Sequence, residues 1–522
     1  MHDLITAARK NRTLLITLAV LALLLLMAIQ GLTTEEWVIT MMRGFAVGAI
    51  TFLVASGLSL IFGLLDVLNL AHGTLFMIGA YVGWTMYIRP DTFVDLLAPG
   101  LLLAAGLMLK PLIDAGMARL ALGRKTSRIL PWALLVLALV VAGWAFAGWP
   151  ITAWNPGVPA QSPATYALQM DQSIKGGSAR TMPPATSAPS VLHPVVALLG
   201  GLLFAASVSA FSRHRATLSR ERVGWRSLIA PAVLLIVGVV VMLVNTPLSE
   251  FLFDLSSTAL FFGAALVTIL VGAGLGGLME VTVIRPLYER PIYQLMLTLG
   301  LGVAGIELVQ AIWGRPEFTM PKPALFAGTG DACPATSVAG WFQSHCSTFL
   351  LVGGRLRVYN EVFVILVGLV VLVGVWVLLQ RSRIGMIIRA GVQDSDMVEA
   401  LGINVRQVFT LVFALGAALA ALGGIVAGPS MGLSPFMGER LLLSALIALA
   451  IGGLTSFPGA AAGSLLVGLL QQFIIRYGQI GINLPFLDEP FKPTPPLVPA
   501  STVLLMVIIL LILPQGLFGR RE

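Results

Sequence analysis

The feature that most constrains this chain is a series of uninterrupted apolar runs, of which "VFVILVGLVVLVGVWVLL", residues 362–379, is typical. A helix of that length rises about 27 Å, close to the thickness of a bilayer's hydrocarbon core. The runs are continuous where a membrane β-barrel would alternate polar and apolar residues, and in hydrocarbon a helix satisfies its own backbone polar groups. With 57% hydrophobic residues and a mean hydropathy of +0.93, the chain is not a set of soluble domains. The expected fold class is an all-α polytopic membrane protein. Candidate spans fall at 12–31, 38–64, 72–88, 98–117, 130–149, 191–211, 228–245, 256–280, 292–313, 358–380, 408–428, 440–455, 459–476 and 498–514. The pair at 440–455 and 459–476 is separated only by "SFPG" and reads either as two spans or as half-helices.

Charge orients these spans. The net charge of +8 comes with no basic stripe carrying interleaved aromatics, so no nucleic-acid partner is expected. Most Lys and Arg residues instead fall in the tails and in the connections 118–129, 212–227, 281–291 and 381–407. By the positive-inside rule these face the cytoplasm, with both termini inside. The first run follows a basic stretch and could be a cleaved signal, although it lacks an A-x-A end; either outcome leaves the later spans oriented alike. Cys333 and Cys346 share the loop 314–357, which this topology places outside, where a disulfide is possible.

Several motifs admit plainer readings. "GAGLGG", residues 272–277, has dinucleotide-site spacing but lies inside an apolar run with no preceding strand. Together with Ala420, Gly424 and Gly428 it reads as a seam of small residues for close helix packing. There is no G-x-x-x-x-G-K-[ST], no ligand-spaced histidine cluster and no catalytic constellation, so neither enzyme activity nor a cofactor or metal is expected, and any ATP is hydrolysed by a partner. Asp66, Asn69 and His72 interrupt an apolar stretch. They read either as a capped turn between spans or as a broken helix on a transport path, with Asn69 and His72 offering hydrogen bonds. Glu307 and Gln310, three apart on one helix, form a second path candidate, with Glu307 alternatively paired to an arginine such as Arg43. Lys110 and Asp114 read as an i,i+4 pair near a span end.

The polar stretch "RAGVQDSDMVEALGINV", residues 389–405, stands out in a chain with only 11% charged residues. "DSDMVEALG" predicts a short helix capped at Asp394 or Ser395 and stopped at Gly402, with Met397, Val398 and Leu401 grouped on one side. On a cytoplasmic loop such a helix suits docking by a soluble partner or, alternatively, rest on lipid headgroups.

These residues carry a resemblance, as do "GLSLIFGLLDVLNLAHGTLFMIGAYVG", "RPLYERP", "LMLTLGLGVAGIELVQAIWG", "ALIALAIGGLTSFPGAAAGSLLVGLLQQF" and "LPQGLFGR". The chain resembles the permease subunits of branched-chain (hydrophobic) amino acid ABC transporters, the LivH-like family. The resemblance implies an ABC importer permease helical bundle with about four additional transmembrane helices inserted. Residues 1–88 would be the N-terminal part of the bundle, 89–255 the insertion, and 256–522 the C-terminal part with a coupling loop at 381–407. It further implies that Arg389, Asp394, Glu399, Gly402 and Asn404 lie on the segment that engages a separate ATPase. The implied partners are ABC ATPase subunits, a second permease subunit, a periplasmic substrate-binding protein and membrane lipid. Met397 and Val398 depart from the small residues usual in that segment. The rival reading is a self-contained secondary transporter or channel using Glu307 and His72.

Overall fold

The computed structural model describes residues 31–117, 124–147, 192–214, 226–288, 290–393, 395–482 and 489–519. Most of the first candidate span, the segment 150–190 and Asp394 lie outside these described residues. Along the chain run α1 (Thr34–Leu65), α2 (His72–Ile88), α3 (Pro90–Met108), α4 (Lys110–Met117), α5 (Arg124–Ala147), α6 (Leu192–His214), α7 (Arg226–Leu243), α8 (Asn245–Asp254) and α9 (Ser257–Met279). After them come α10 (Pro291–Trp313), α11 (Val338–Ser344), α12 (Val364–Arg381), α13 (Arg383–Gln393), α14 (Ser395–Ala400), α15 (Val405–Met431), α16 (Met437–Gly452), α17 (Phe457–Ile480) and α18 (Leu497–Ile512). A two-stranded antiparallel hairpin, β1 (Thr348–Leu351) with β2 (Gly354–Arg357), is the only sheet among the described residues; Thr348 pairs with Arg357 and Leu351 with Gly354. Among these residues nine helical stretches are long and apolar enough to cross a membrane, and α7 with α8 forms a tenth, bent by 74°. The chain is an all-α, multi-pass membrane protein.

The chain divides into two compact units. The first comprises the described residues 31–84 and 257–519. Its centre is a cluster in which Phe52 and Leu53 of α1 meet Val371 and Val375 of α12, Val412 and Leu419 of α15, and Phe457 of α17. Helices approach closely where side chains vanish. A Cβ on Gly272 or Gly276 of α9 would collide with Ala421 or Ala417 of α15, so this glycine seam packs on α15, though through those alanines and not through Ala420, Gly424 or Gly428. Gly424 meets the α2 backbone at Phe76 and Ala80, and Gly428 meets Met320. Gly452 of α16 abuts Gly459 of α17, and α17, at 24 residues or about 36 Å, is long enough to cross while α16 has 16 residues.

The second unit comprises the described residues between Thr85 and Ser256. The predicted span 98–117 is here two helices, α3 and α4, and the first of them starts eight residues earlier than expected, at Pro90. Arg89 and Asp91 hid that start: both are buried and form a fork, with Arg89 Nε and Nη2 donating to the two Asp91 carboxylate oxygens at 3.0 and 2.8 Å. Lys110 Nζ lies 2.6 Å from Asp114, the i,i+4 pair expected from spacing, and Ser209 of α6 also donates to that carboxylate.

Candidate functional site

The polar stretch forms two short helices between the long apolar ones. Ser382 breaks the chain out of α12: its hydroxyl accepts the Gly385 N–H at 3.0 Å, starting α13. Ile388 of α13 is buried in the central cluster beside Val371 and Val375, which roots this helix in the bundle. Arg389 reaches back over the break and donates to the Leu379 carbonyl and, at 3.0 Å, to Gln380 Oε1. α14 ends in a left-handed turn at Gly402, φ +80°. There the Ile403 N–H donates to the Val398 carbonyl at 3.3 Å and the Gly402 N–H to the Glu399 carbonyl at 2.9 Å, a Schellman stop. Asn404 then caps α15 by accepting the Gln407 N–H. Met397 and Leu401 are 61% and 73% exposed, whereas Val398 is 4% exposed. The three do not share one face: residues four apart stack on a helix, and the neighbour between them turns inward.

The four polar residues considered for a transport path are scattered. Asn69 is fully buried in the turn from α1 to α2; its Oδ1 accepts the Ala71 N–H at 3.0 Å, its carbonyl accepts the His72 N–H at 3.2 Å, and its Nδ2 faces Met279 Sδ at 3.9 Å. That is the capped-turn geometry. His72 is fully buried, its ring against Gly57 and the Val54 backbone. Glu307 lies on the exposed face of α10 and Gln310 is half-buried, while Ile306 and Val309 of the same helix are buried. Glu307 therefore does not pair with Arg43.

Arg43 has another partner. Its Nε lies 3.2 Å from Oε1 of Glu361, a buried carboxylate whose other oxygen accepts the Arg357 backbone N–H. A second buried carboxylate, Glu280, follows α9. It accepts from Arg285 Nε at 3.1 Å and Nη2 at 2.8 Å, from the Tyr288 hydroxyl at 2.7 Å, and from Thr410 of α15 at 2.7 Å. Burial first, and then this hydrogen bond, pushes the Tyr288 phenol above its ordinary pKa. Neither carboxylate was singled out from the sequence. Both sit in π-helical turns, Glu280–Ile284 and Val358–Phe363, and a π turn aligns residues five apart, as Glu280 and Arg285 are. The signal lay in "EVTVIR", at a spacing that α-helical reasoning ignores.

Cys333 and Cys346 lie with their sulfurs at bonding distance, 1.97 Å, in the loop between α10 and β1. Among the described residues no group of three His, Cys, Asp or Glu is placed to hold a metal.

The profile of the family described as "Branched-chain amino acid transport system / permease component" matches residues 189–513, more than half of the chain. The chain belongs to this permease family. The match covers the α13–α14 segment and both π-turn glutamates; it begins at residue 189, just before α6, and does not include residues 38–88. Among curated proteins, the high-affinity branched-chain amino acid transport permease LivH of Escherichia coli K12 is 29% identical over 219 residues, covering 42% of this chain and 65% of LivH. The corresponding BraD of Pseudomonas aeruginosa is 30% identical over 165 residues, 31% of this chain and 49% of BraD. The fructose import permease FruF of Bifidobacterium longum is 31% identical over 163 residues, 29% of this chain and 43% of FruF. The aligned part of this permease thus spans less than two thirds of the curated relatives' lengths. No solved structure matches the chain.

Proposed function

We propose that this permease is the non-catalytic transmembrane subunit of an ABC importer for branched-chain or other small hydrophobic amino acids. In this reading it sits in the bacterial inner membrane with both termini in the cytoplasm, forms the translocation path with a second permease subunit, receives substrate from a periplasmic binding protein, and couples to a separate ATPase. Residues 1–88 and 256–522 form the bundle, 89–255 is an insertion, and the Cys333–Cys346 pair is a disulfide on the periplasmic side.

The observation that carries the reading is the α13–α14 segment. Its outer side presents Met397 and Leu401, and its inner side is rooted through Ile388 and Arg389 in α12 and the central cluster. A soluble ATPase that grips the exposed side pulls on a helix whose other side is embedded in the bundle. Displacement then passes into α12 directly and into α15 through the Schellman turn and the Asn404 cap. Arg389, Asp394, Glu399, Gly402 and Asn404 lie on the segment that engages the ATPase, with Arg389, Gly402 and Asn404 fixing its shape. The self-powered alternative finds less support, because Glu307 is exposed while His72 is buried on a different helix.

The test is co-purification of the full chain with ATPase subunits, together with ATP-dependent leucine uptake in proteoliposomes. Gly402→Pro, which cannot adopt φ +80° and lacks the donated N–H, and Glu399→Arg are each expected to reduce ATPase retention and uptake at least tenfold. Wild-type retention and uptake in both variants would refute the coupling assignment.

A further inference from the structure

The first unit holds a cavity of about 480 Å³ at the end of the bundle that carries the disulfide loop. Its size suits a small metabolite. Its walls divide by chemistry. Ala46, Val47 and Ile50 of α1 and Leu441 of α16 supply apolar lining, and Thr51, Ser444, Gln471 and Gln472 supply neutral polar lining. Arg43, Arg357 and Arg440 bring three guanidiniums, against the single carboxylate of Glu361. Arg43 takes that carboxylate, and among the described residues neither Arg357 nor Arg440 has an ion pair through its guanidinium. The surplus is positive and lies toward the mouth, where Arg357 and Arg440 are exposed. Deeper in, Asn360 Oδ1 and Ser430 Oγ are buried with no protein hydrogen-bond partner. Buried polar groups without partners are costly in a folded protein, and Asn360 and Ser430, both in the cavity lining, need only a side-chain rotation to offer these oxygens to a ligand.

We infer that this cavity is a binding site for a free amino acid with a short aliphatic side chain. The carboxylate is held by Arg440 and Arg357, the ammonium lies beside Glu361 with the Asn360 and Ser430 side chains turning their oxygens toward it, and the aliphatic group lies against Ala46, Val47 and Ile50. The inference rests on the amino acid import reading and deepens it by naming a subsite within the membrane subunit. A neutral sugar leaves the guanidinium surplus unused. An anionic lipid headgroup shares the oxyanion chemistry, but the apolar lining offers only a few side chains and no acyl-length groove.

The test uses the full transporter complex in proteoliposomes. L-leucine uptake is measured in wild type and in Arg440→Gln, Arg440→Lys, Ser430→Ala and Arg355→Gln; Arg355 neighbours the site on β2 but does not line the cavity. Arg440→Gln is expected to raise the KM for leucine about tenfold, as for a lost charge-assisted hydrogen bond, with Arg440→Lys in between. Ser430→Ala should raise it a few-fold and Arg355→Gln should leave it unaltered. In wild type, L-leucinamide, which lacks the carboxylate, should compete at least tenfold more weakly than leucine. A wild type that imports leucine with the same KM in Arg440→Gln, or in which leucinamide competes equally, overturns the subsite and leaves the import reading standing. An Arg440→Gln variant that loses a co-purifying anionic phospholipid while keeping its leucine KM assigns the cavity to lipid and also overturns the subsite. A wild type that imports fructose and no amino acid overturns both readings.

Discussion

Two buried glutamates, Glu280 and Glu361, occupy the same local device at opposite ends of the first unit's bundle. Each sits in a π-helical turn at the end of a long apolar helix. At the end near α13 and α14, Glu280 is saturated: Arg285, Tyr288 and Thr410 fill both carboxylate oxygens, and α9 is pinned to α15. At the disulfide-loop end, Glu361 holds the half-exposed Arg43 and a backbone N–H, and it lines a cavity whose other guanidiniums lack carboxylates. The turn geometry is shared, so the difference comes from the neighbours. A π turn widens the helix and leaves backbone groups less well paired. One end of the bundle closes that irregularity with side chains of its own, and the other leaves it open beside a cavity. The first arrangement is a fastening; the second has the composition of a place for a ligand.

The comparison can be broken at its strong side first. Glu280→Ala removes the buried carboxylate from Arg285, Tyr288 and Thr410 at once; because Arg285 is 31% exposed, the cost falls at the low end of the range, about 3–5 kcal/mol, typical of a fully buried pair. A marked fall in the thermal midpoint of the purified protein is expected, with Glu280→Gln milder. If Glu361→Ala lowers the midpoint as far, the two turns are equivalent and the distinction fails.

Next in size is the covalent fastening at the cavity end. Cys333 and Cys346 are 13 residues apart, and closing a loop of that order stabilises by about 3 kcal/mol in the chain-entropy account. Limited proteolysis of Cys346→Ser should cut the loop 314–357 faster than in wild type, while thiol-reactive probes should leave the unreduced wild type unlabelled. Ready labelling of both cysteines would show the bond absent.

The smallest effect belongs to Glu361. Arg43 is partly exposed and solvent screens its charge, so Glu361→Ala should cost about 1 kcal/mol or less in the same unfolding measurement. Its larger consequence should appear in leucine KM, where an increase with near-wild-type stability sharpens the contrast with Glu280.

Much of this architecture was legible in the sequence. The long apolar runs located the helices because a membrane span must be continuous and apolar. Gly402 was legible as a stop because an abrupt end after a short helix favours a residue free to take positive φ. What escaped was orientation about each helix axis. α10 is apolar nearly all round, so nothing in its pattern says that Glu307 faces out while Val309 faces in. On α14 the stretch is too short for periodicity to separate Val398 from Met397. Glu280 and Glu361 looked like ordinary span-edge charges, because their partners lie five residues away or on a distant helix. The early start of α3 was hidden by Arg89 and Asp91, a charged pair that reads as a loop until the two are seen to neutralise each other in the interior.

α15 is a single helix of 27 residues, about 40 Å from end to end. One tip begins at the Asn404 cap, directly after the Schellman turn, and the other carries Ser430 and Met431 on the cavity wall. A rod seated this way needs no relay of intermediate residues: a tilt of a few degrees applied at its base is delivered at its far tip as a shift of ångström size. On the import reading proposed above, nucleotide hydrolysis at one end and the grip on a solute at the other are then two ends of one lever.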